Sequence, residues 1–272
     1  MDKILVESES FISPELDVVL SARSVVSDVL QKAARDLLLR AREISGELNV
    51  PCNQVSDVEK QRLTALVLYV RLLDVSESIY ILSMLGARQE VKALFRVFLD
   101  AYFLVANAIN DQSFFLRYFQ VDSVERLKLL KVARHELPKE LFDETVVGLF
   151  SDESLNDLRS EIDEGRLQAF NSYENAKGVG CQNIYNLRYR IYSASVHTGP
   201  RAFVEYLSEE DQGDVVRAVS NRISFLDADR IVFDTGFYVS NVIAGLAELF
   251  DYPLSAEFSA SIEEFKRLEP GA

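Results

Sequence analysis

The chain has 272 residues, of which 48% are apolar and 26% charged, and its formal net charge is −14. This composition is typical of a globular protein with a sizeable core, and the negative charge excludes nucleic-acid binding by the surface as a whole, so that RNA or a nucleotide could bind only through a local basic patch. The two cysteines, Cys52 and Cys181, have no metal or redox spacing, which predicts a cytoplasmic protein in a reducing compartment.

The N-terminal residues MDKILVESES contain no apolar run of signal-peptide length, so no signal peptide is expected. Asp234 and Glu248 bracket only thirteen uncharged residues, whereas roughly 20 apolar residues are needed to span a bilayer. The sequence therefore predicts no association with a membrane. Six prolines and eleven glycines are few for this length and indicate long, uninterrupted elements.

Apolar residues recur at steps of three and four through most of the chain, which is the periodicity of amphipathic helices. Ser13 and Pro14 suit the start of the first helix, and Gly86 suits the end of the second. The predicted helices cover residues 15–48, 57–85, 87–110, 112–136, 183–198, 212–250 (with a break expected near Gly236) and 255–268.

Residues 138–180 differ from the rest because they are rich in acidic side chains and contain only short helical patterns, such as ESLNDLRSEIDEG. We interpret them as a polar, mobile insertion over the bundle. No alternating strand pattern lasts beyond a few residues. The sequence therefore predicts a single all-α domain over residues 1–272, an antiparallel helical bundle with additional helices and an acidic helical insertion. Its core spans about 15–136 and 183–268.

The predicted helix 183–198 carries one of the two histidines of the chain. At about 100° per residue, a continuous polar stripe lies nearly opposite an aromatic one. The polar stripe consists of Asn183, Asn186, Arg190, Ser193 and His197, and the aromatic side of Tyr185, Tyr189, Tyr192 and Val196. The aromatic side is therefore expected to pack on the bundle, and the polar side to carry any chemistry.

Arg190 and His197 are suited to cleavage of an RNA phosphodiester, in which the 2′-hydroxyl attacks its own neighbouring phosphate. A histidine can take or give the proton near neutral pH, and an arginine can stabilise the charge that grows on the phosphate oxygens. No metal or other cofactor is needed. His197 has a second interpretation, because Thr198, Gly199 and Pro200 form a strong helix stop and a histidine in the last turn is favoured there.

A second candidate lies in residues 93–106, ALFRVFLDAYFLVA, of which twelve of fourteen are apolar. The exceptions, Arg96 and Asp100, are four positions apart and share one face of the helix. Charges in such a helix must be paired or face a wet cleft. The pair is therefore either a structural ion pair that fixes the register of the helix, or the wall of a site in which Asp100 orients Arg96 or a histidine.

Two segments together carry a resemblance to known proteins. GARQEVKALFRVFLDAY at 86–102, followed by YRIYSASVHTGP at 189–200, resembles a bacterial all-helical family of unknown function. That family looks like an outlying branch of the HEPN superfamily, whose hallmark is an arginine, four to six residues, and a histidine. Arg190, six residues and His197 match this spacing at its long end, although Ile191 stands where many HEPN nucleases have a polar residue.

The resemblance implies a helical bundle, a metal-independent ribonuclease of the toxin–antitoxin or phage-defence type, and a homodimer. Arg190 and His197 would be the catalytic residues, and Arg96, Asp100, Asn186 and Ser193 would support the site. A different function also fits the residues, namely a non-catalytic helical module that binds a nucleotide or a protein partner through the same polar cleft. A third hypothesis is an inhibitor that acts through its acidic surface.

Overall fold

The structure is a computed structural model that describes residues 5–8, 28–50, 56–136, 138, 151–165, 167, 169, 171–196, 207–209, 216–221 and 227–270. Helices make up most of this part of the chain, which confirms the all-α prediction. The helices in chain order are α1 (Asp28–Glu47), α2 (Asp57–Met84), α3 (Arg88–Asn110), α4 (Phe114–Glu136), α5 (Asp152–Gly165), α6 (Ser172–Gly178), α7 (Gln182–Ile184), a π-helical turn (Tyr185–Tyr189), α8 (Arg190–Val196), α9 (Ala228–Leu249) and α10 (Ala256–Lys266).

Local signals set the ends of the long helices. At the start of α2, the Ser56 hydroxyl accepts a hydrogen bond from the backbone N–H of Glu59, and the Glu59 carboxylate accepts one from the N–H of Ser56. This reciprocal capping box satisfies two backbone donors that the first turn leaves free. Gly86, at φ 66°, takes the left-handed conformation that ends α2 and allows α3 to return antiparallel to it.

The core surrounds α3, which packs against α2, α9 and α8. Phe95, Phe98 and Phe103 of α3 are completely buried, and α9 adds Val239 and Leu246 to the same cluster. Among the described residues, α3 alone is long and apolar enough to cross a membrane, but half of its most apolar window is buried inside the protein. The apolar character of α3 is therefore explained by its central place in the bundle.

The helix predicted over 212–250, with a break near Gly236, is wrong in two respects. Residues Val216–Asn221 form a strand, and α9 begins only at Ala228 and continues through Gly236 without a break. A Cβ at Gly236 would lie 2.4 Å from the Cζ of Phe265 in α10. Glycine is needed there because the α10 ring lies against the α9 backbone, so its role is close packing and not helix termination.

Three short strands form a small sheet in the order β1 (Leu5–Ser8), β3 (Val216–Asn221) and β2 (Leu207–Glu209). β1 pairs with β3 in parallel, with Leu5 opposite Ala218, and β2 pairs with β3 antiparallel, with Leu207 opposite Val219. These strands were not predicted, because segments of three to six residues are too short for their periodicity to distinguish a strand from a helix. The predicted start of the first helix near residue 15 lies outside the described residues.

The acidic helix α5 packs on α4 apart from the main core. Leu155 and Leu158 of α5 are buried against Leu127 of α4, and the Arg134 guanidinium pairs with the carboxylate of Asp152 at 2.5 Å. This small cluster confirms that the segment between α4 and α6 adds acidic helical structure to one side of the bundle.

Candidate functional site

The segment predicted as one helix over 183–198 consists of α7, the π-helical turn and α8. A π-helical turn holds one residue more than an α-helical turn, and such turns are frequent at functional sites. The extra residue rotates the residues before it relative to those after it. The prediction of α-helical geometry throughout is therefore wrong, although Asn183, Asn186 and Arg190 of the predicted polar stripe are all exposed.

The aromatic side of the segment packs on the bundle as predicted for Tyr189 and Tyr192, which are both buried. The Tyr192 ring meets Phe95 of α3 edge-on, with 5.4 Å between ring centroids. Tyr185 is half-buried and stacks on Tyr189 at 4.6 Å. Val196 is an exception, because its side chain is exposed.

On the other side of the segment, Asn186 and Arg190 are exposed. The side chain of Arg190 forms no ion pair or hydrogen bond with any residue in the described part of the chain. Ser193 is half-buried and donates its hydroxyl to the carbonyl of Tyr189 at 2.8 Å, so its side chain is occupied by a bond to the preceding turn of its own helix. His197 lies outside the described residues, and its relation to Arg190 stays a prediction.

The predicted pair Arg96 and Asp100 forms on α3, with 3.4 Å between Arg96 Nη1 and Asp100 Oδ2. Both side chains are part-exposed, and both also contact Tyr189. Arg96 Nη2 donates to the Tyr189 hydroxyl at 2.7 Å, and the guanidinium lies 5.1 Å from the centre of the tyrosine ring. The pair thus links α3 to the π-helical turn, directly beside Arg190.

The Tyr189 hydroxyl is the centre of this polar cluster. It lies 3.1 Å from the Oγ of Ser172, at the start of α6, and 3.4 Å from Oδ2 of Asp100. Burial raises the pKa of the Tyr189 hydroxyl, so the neutral form donates one hydrogen bond while it accepts one from Arg96. We missed this hydroxyl in the sequence, because the pattern showed a packed tyrosine but not its partners.

A second ionic cluster, around Asp234 of α9, was also missed. Asp234 is only 5% exposed, and its Oδ1 lies 2.9 Å from Nε of Arg230. Its Oδ2 lies 3.5 Å from Nη2 of Arg188 in the π-helical turn. Arg230 continues the cluster to Glu269 at 2.9 Å. Burial raises the pKa of Asp234, and the two guanidinium groups oppose that shift.

The signal for this cluster was present in the sequence. Arg230 and Asp234 are four apart in a largely apolar helix, which is the spacing that singled out Arg96 and Asp100. The long helix wrongly predicted over 212–250 hid this pair within a larger element. Arg188 carried no such signal, because its partner is 46 positions away in the chain and only the fold brings the two together.

Asp227, at the start of α9, extends the charges toward α3. Its backbone has φ 68°, a left-handed conformation that is uncommon outside glycine. Its carboxylate lies 3.3 Å from Nη2 of Arg88 and 3.7 Å from Nζ of the buried Lys92. These two cations hold the Asp227 carboxylate at the junction of α3 and α9, so its charge has a structural role.

Two grooves in the described part of the structure lie elsewhere. One of about 880 Å³ lies between the end of α3, α4 and α6 and is lined by amides, among them Asn110, Gln120 and Asn175. Another of about 790 Å³ lies between α1 and α10. Neither is lined by Arg96, Asp100 or Arg190. Within the described ranges, no three His, Cys, Asp or Glu side chains are grouped so that they could hold a metal ion.

The sequence profile of a family of unknown function, DUF5677, matches residues 63–214, which is more than half of the chain. The chain therefore belongs to that family. The matched region begins in α2 and includes α3 and the segment from α6 to α8, and so contains both Arg96–Asp100 and Arg190–His197. No curated protein and no solved structure matches the chain.

Proposed function

We propose that this member of the DUF5677 family is a metal-independent endoribonuclease of the HEPN type. Arg190 would bind the scissile phosphate, and His197 would act as the acid–base residue. The observation that supports this most directly is the state of Arg190. It is exposed and without a partner among the described residues, while Tyr189 and Tyr192 on either side of it are buried.

The reaction needs only the substrate and these side chains. The 2′-hydroxyl oxygen bonds to the adjacent phosphorus and loses its proton to a base, and the bond from phosphorus to the 5′-oxygen breaks. The departing oxygen takes up a proton, which leaves a 2′,3′-cyclic phosphate and a 5′-hydroxyl. His197 would carry one of these protons, and water the other. Arg190 would stabilise the negative charge on the two non-bridging oxygens.

Arg96 and Asp100 would support the site through Tyr189 without contact with the substrate. Arg96 is hydrogen-bonded to the hydroxyl and stacked on the ring of Tyr189, the residue before Arg190. Asn186 is exposed on the same segment as Arg190 and could donate to a phosphate or a base. Ser193 would act through its hydrogen bond to the Tyr189 carbonyl, which fixes the start of α8.

Cleavage of a mixed RNA pool by purified protein in the presence of EDTA tests this proposal. We expect wild-type protein to leave 2′,3′-cyclic phosphate ends, and His197→Ala and Arg190→Ala to reduce the rate at least about 100-fold, in the range of lost acid–base and charge-stabilising groups. Arg71→Ala is the matched control, because it removes an exposed arginine of α2. Equal rates for wild type and His197→Ala would refute the proposal.

A second candidate function is favoured by the neighbours of Arg190. Leu187 and Ile191, three positions before it and one after, are 60% and 51% exposed. Exposed apolar side chains beside a cation are typical of protein-binding surfaces, in which arginine is enriched. The alternative is a non-catalytic module that binds a nucleotide or a protein through this segment. No RNA cleavage, together with nucleotide-induced thermal stabilisation that Arg190→Ala abolishes, would favour this alternative.

A further inference from the structure

We infer that Asp234 and Arg188 are positioning residues for Arg190, and that they fix the rotation of the π-helical turn about its own axis. This inference rests on the proposed function only in its effect on cleavage. Its structural part depends on the described residues alone. No feature of the sequence pairs these two residues, and neither would contact the substrate.

Asp234 is committed to its contact with Arg188. Its carboxylate is almost completely buried in α9, where an unpaired charge would be strongly unfavourable. Arg230 of the same helix pairs with Oδ1, which leaves Oδ2 without a hydrogen bond. Arg188 is the residue from outside α9 whose charge reaches that oxygen, at 3.5 Å. Asp234 therefore attracts the π-helical turn toward α9.

Successive residues of the π-helical turn are held by different helices. Arg188 is held by Asp234 of α9, while the Tyr189 hydroxyl is held by Arg96 of α3. Adjacent side chains of a helix point in directions about 80–100° apart. When two such directions are fixed by separate partners, the helix can no longer turn about its axis. The direction of the next side chain, Arg190, is fixed as a consequence.

Tyr192 anchors the segment beyond Arg190. Tyr192 is buried and packs edge-on against Phe95. Burial raises the pKa of the Tyr192 hydroxyl, and the Arg188 guanidinium opposes that shift. Arg188 thus interacts with both the α9 carboxylate and a residue of α8. Because Arg188 and Tyr192 lie on either side of Arg190 in the chain, a loss of the Asp234 charge that holds Arg188 loosens the segment on both sides of Arg190.

The test uses Asp234→Asn, which keeps the side-chain volume and removes the charge, and Arg188→Met, which removes the charge from the other partner. Asp251→Asn is the control, because it removes the carboxylate that pairs with Arg62, away from the π-helical turn. Hydrogen–deuterium exchange of peptides that cover residues 185–196 is measured for each full-length variant, together with its thermal unfolding. We expect this segment to exchange faster than in wild type in Asp234→Asn and Arg188→Met. In Asp251→Asn its exchange rate should equal that of wild type.

Cleavage provides the second readout. We expect kcat to fall about 10- to 100-fold for Asp234→Asn and Arg188→Met with KM nearly unchanged, because the phosphate-binding arginine is present but misdirected. Arg188→Lys keeps a positive charge and should recover part of the loss. Wild-type exchange in both charge-removing variants would overturn the inference. A wild-type protein that cleaves no RNA would overturn the proposed function instead, and the exchange result would still decide the positioning role.

Discussion

Tyr189 is the residue at which several elements of the candidate site meet. Its hydroxyl contacts Arg96 and Asp100 of α3 and Ser172 of α6, and its ring stacks on Tyr185 with the Arg96 guanidinium 5.1 Å from the ring centre. A buried hydroxyl with charged partners is difficult to replace, because removal of the oxygen leaves those partners without a hydrogen bond. The position of Arg190 therefore depends on the contacts of Tyr189, the residue before it.

Tyr189→Phe removes this hydroxyl and keeps the ring. We expect the free energy of unfolding to fall by about 1–3 kcal/mol, since Arg96 loses a hydrogen bond in a partly buried position. Urea denaturation measures the difference. Tyr185→Phe is the matched control, because the Tyr185 hydroxyl forms no hydrogen bond with the described residues. Equal stabilities of the two variants would show that the Tyr189 hydroxyl contributes nothing.

At the scale of elements, α9 and α10 are joined by an unusually close approach. The ring of Phe265 lies against the backbone of α9 at Gly236 and stacks on Phe233 with 5.5 Å between centroids. Glycine in a helix has no Cβ, so a side chain of a neighbouring helix can approach the backbone closely. This contact places the C-terminal helix on α9, the helix that also carries Asp234.

Gly236→Ala should therefore destabilise the protein by about 1–3 kcal/mol, because the new methyl group would overlap the Phe265 ring. Gly46→Ala in α1 is the matched substitution, since its Cβ would have no neighbour within 4 Å. We expect that variant to be neutral or more stable by up to about 1 kcal/mol, as alanine is the better helix former. Chemical denaturation of both variants measures the contrast, and two equal effects would contradict it.

At the scale of the whole molecule, the chain combines a net charge of −14 with apolar side chains exposed beside Arg190. Strong negative charge keeps protein copies apart, so a self-association must be held by a local surface. Leu187 and Ile191 lie one helical turn apart on the same exposed side. They are suited to bury an apolar surface against a second copy, in line with the homodimer that the resemblance implies.

Light scattering after size-exclusion chromatography tests this expectation. Wild type should have about twice the 30.8 kDa mass of one chain, and Ile191→Asp should have the mass of a single chain, because a buried carboxylate would oppose association. Val67→Asp is the control, as Val67 is a similarly exposed apolar residue on α2. A monomeric wild type at micromolar concentration would exclude the homodimer under those conditions.

Much of the fold could be predicted from the sequence, because its signals are local. The helical period and the stop at Gly86 placed α2 and α3 within one or two residues of their ends. The same reasoning failed over Val216–Asn221, where a segment of six residues gave no evidence about its partner strands. A strand is stabilised by residues distant in sequence, and its period is read reliably only over longer runs.

The sequence by itself determined the all-α class and placed Arg96 and Asp100 on one face of α3, since side chains four positions apart on a helix lie side by side. Only the tertiary structure decided that this pair holds Tyr189, that a π-helical turn interrupts the predicted helix, and that Arg188 reaches Asp234. Those contacts join residues dozens of positions apart. Periodicity places a residue on a face of its own helix, but the packing of one helix on another decides what that face meets.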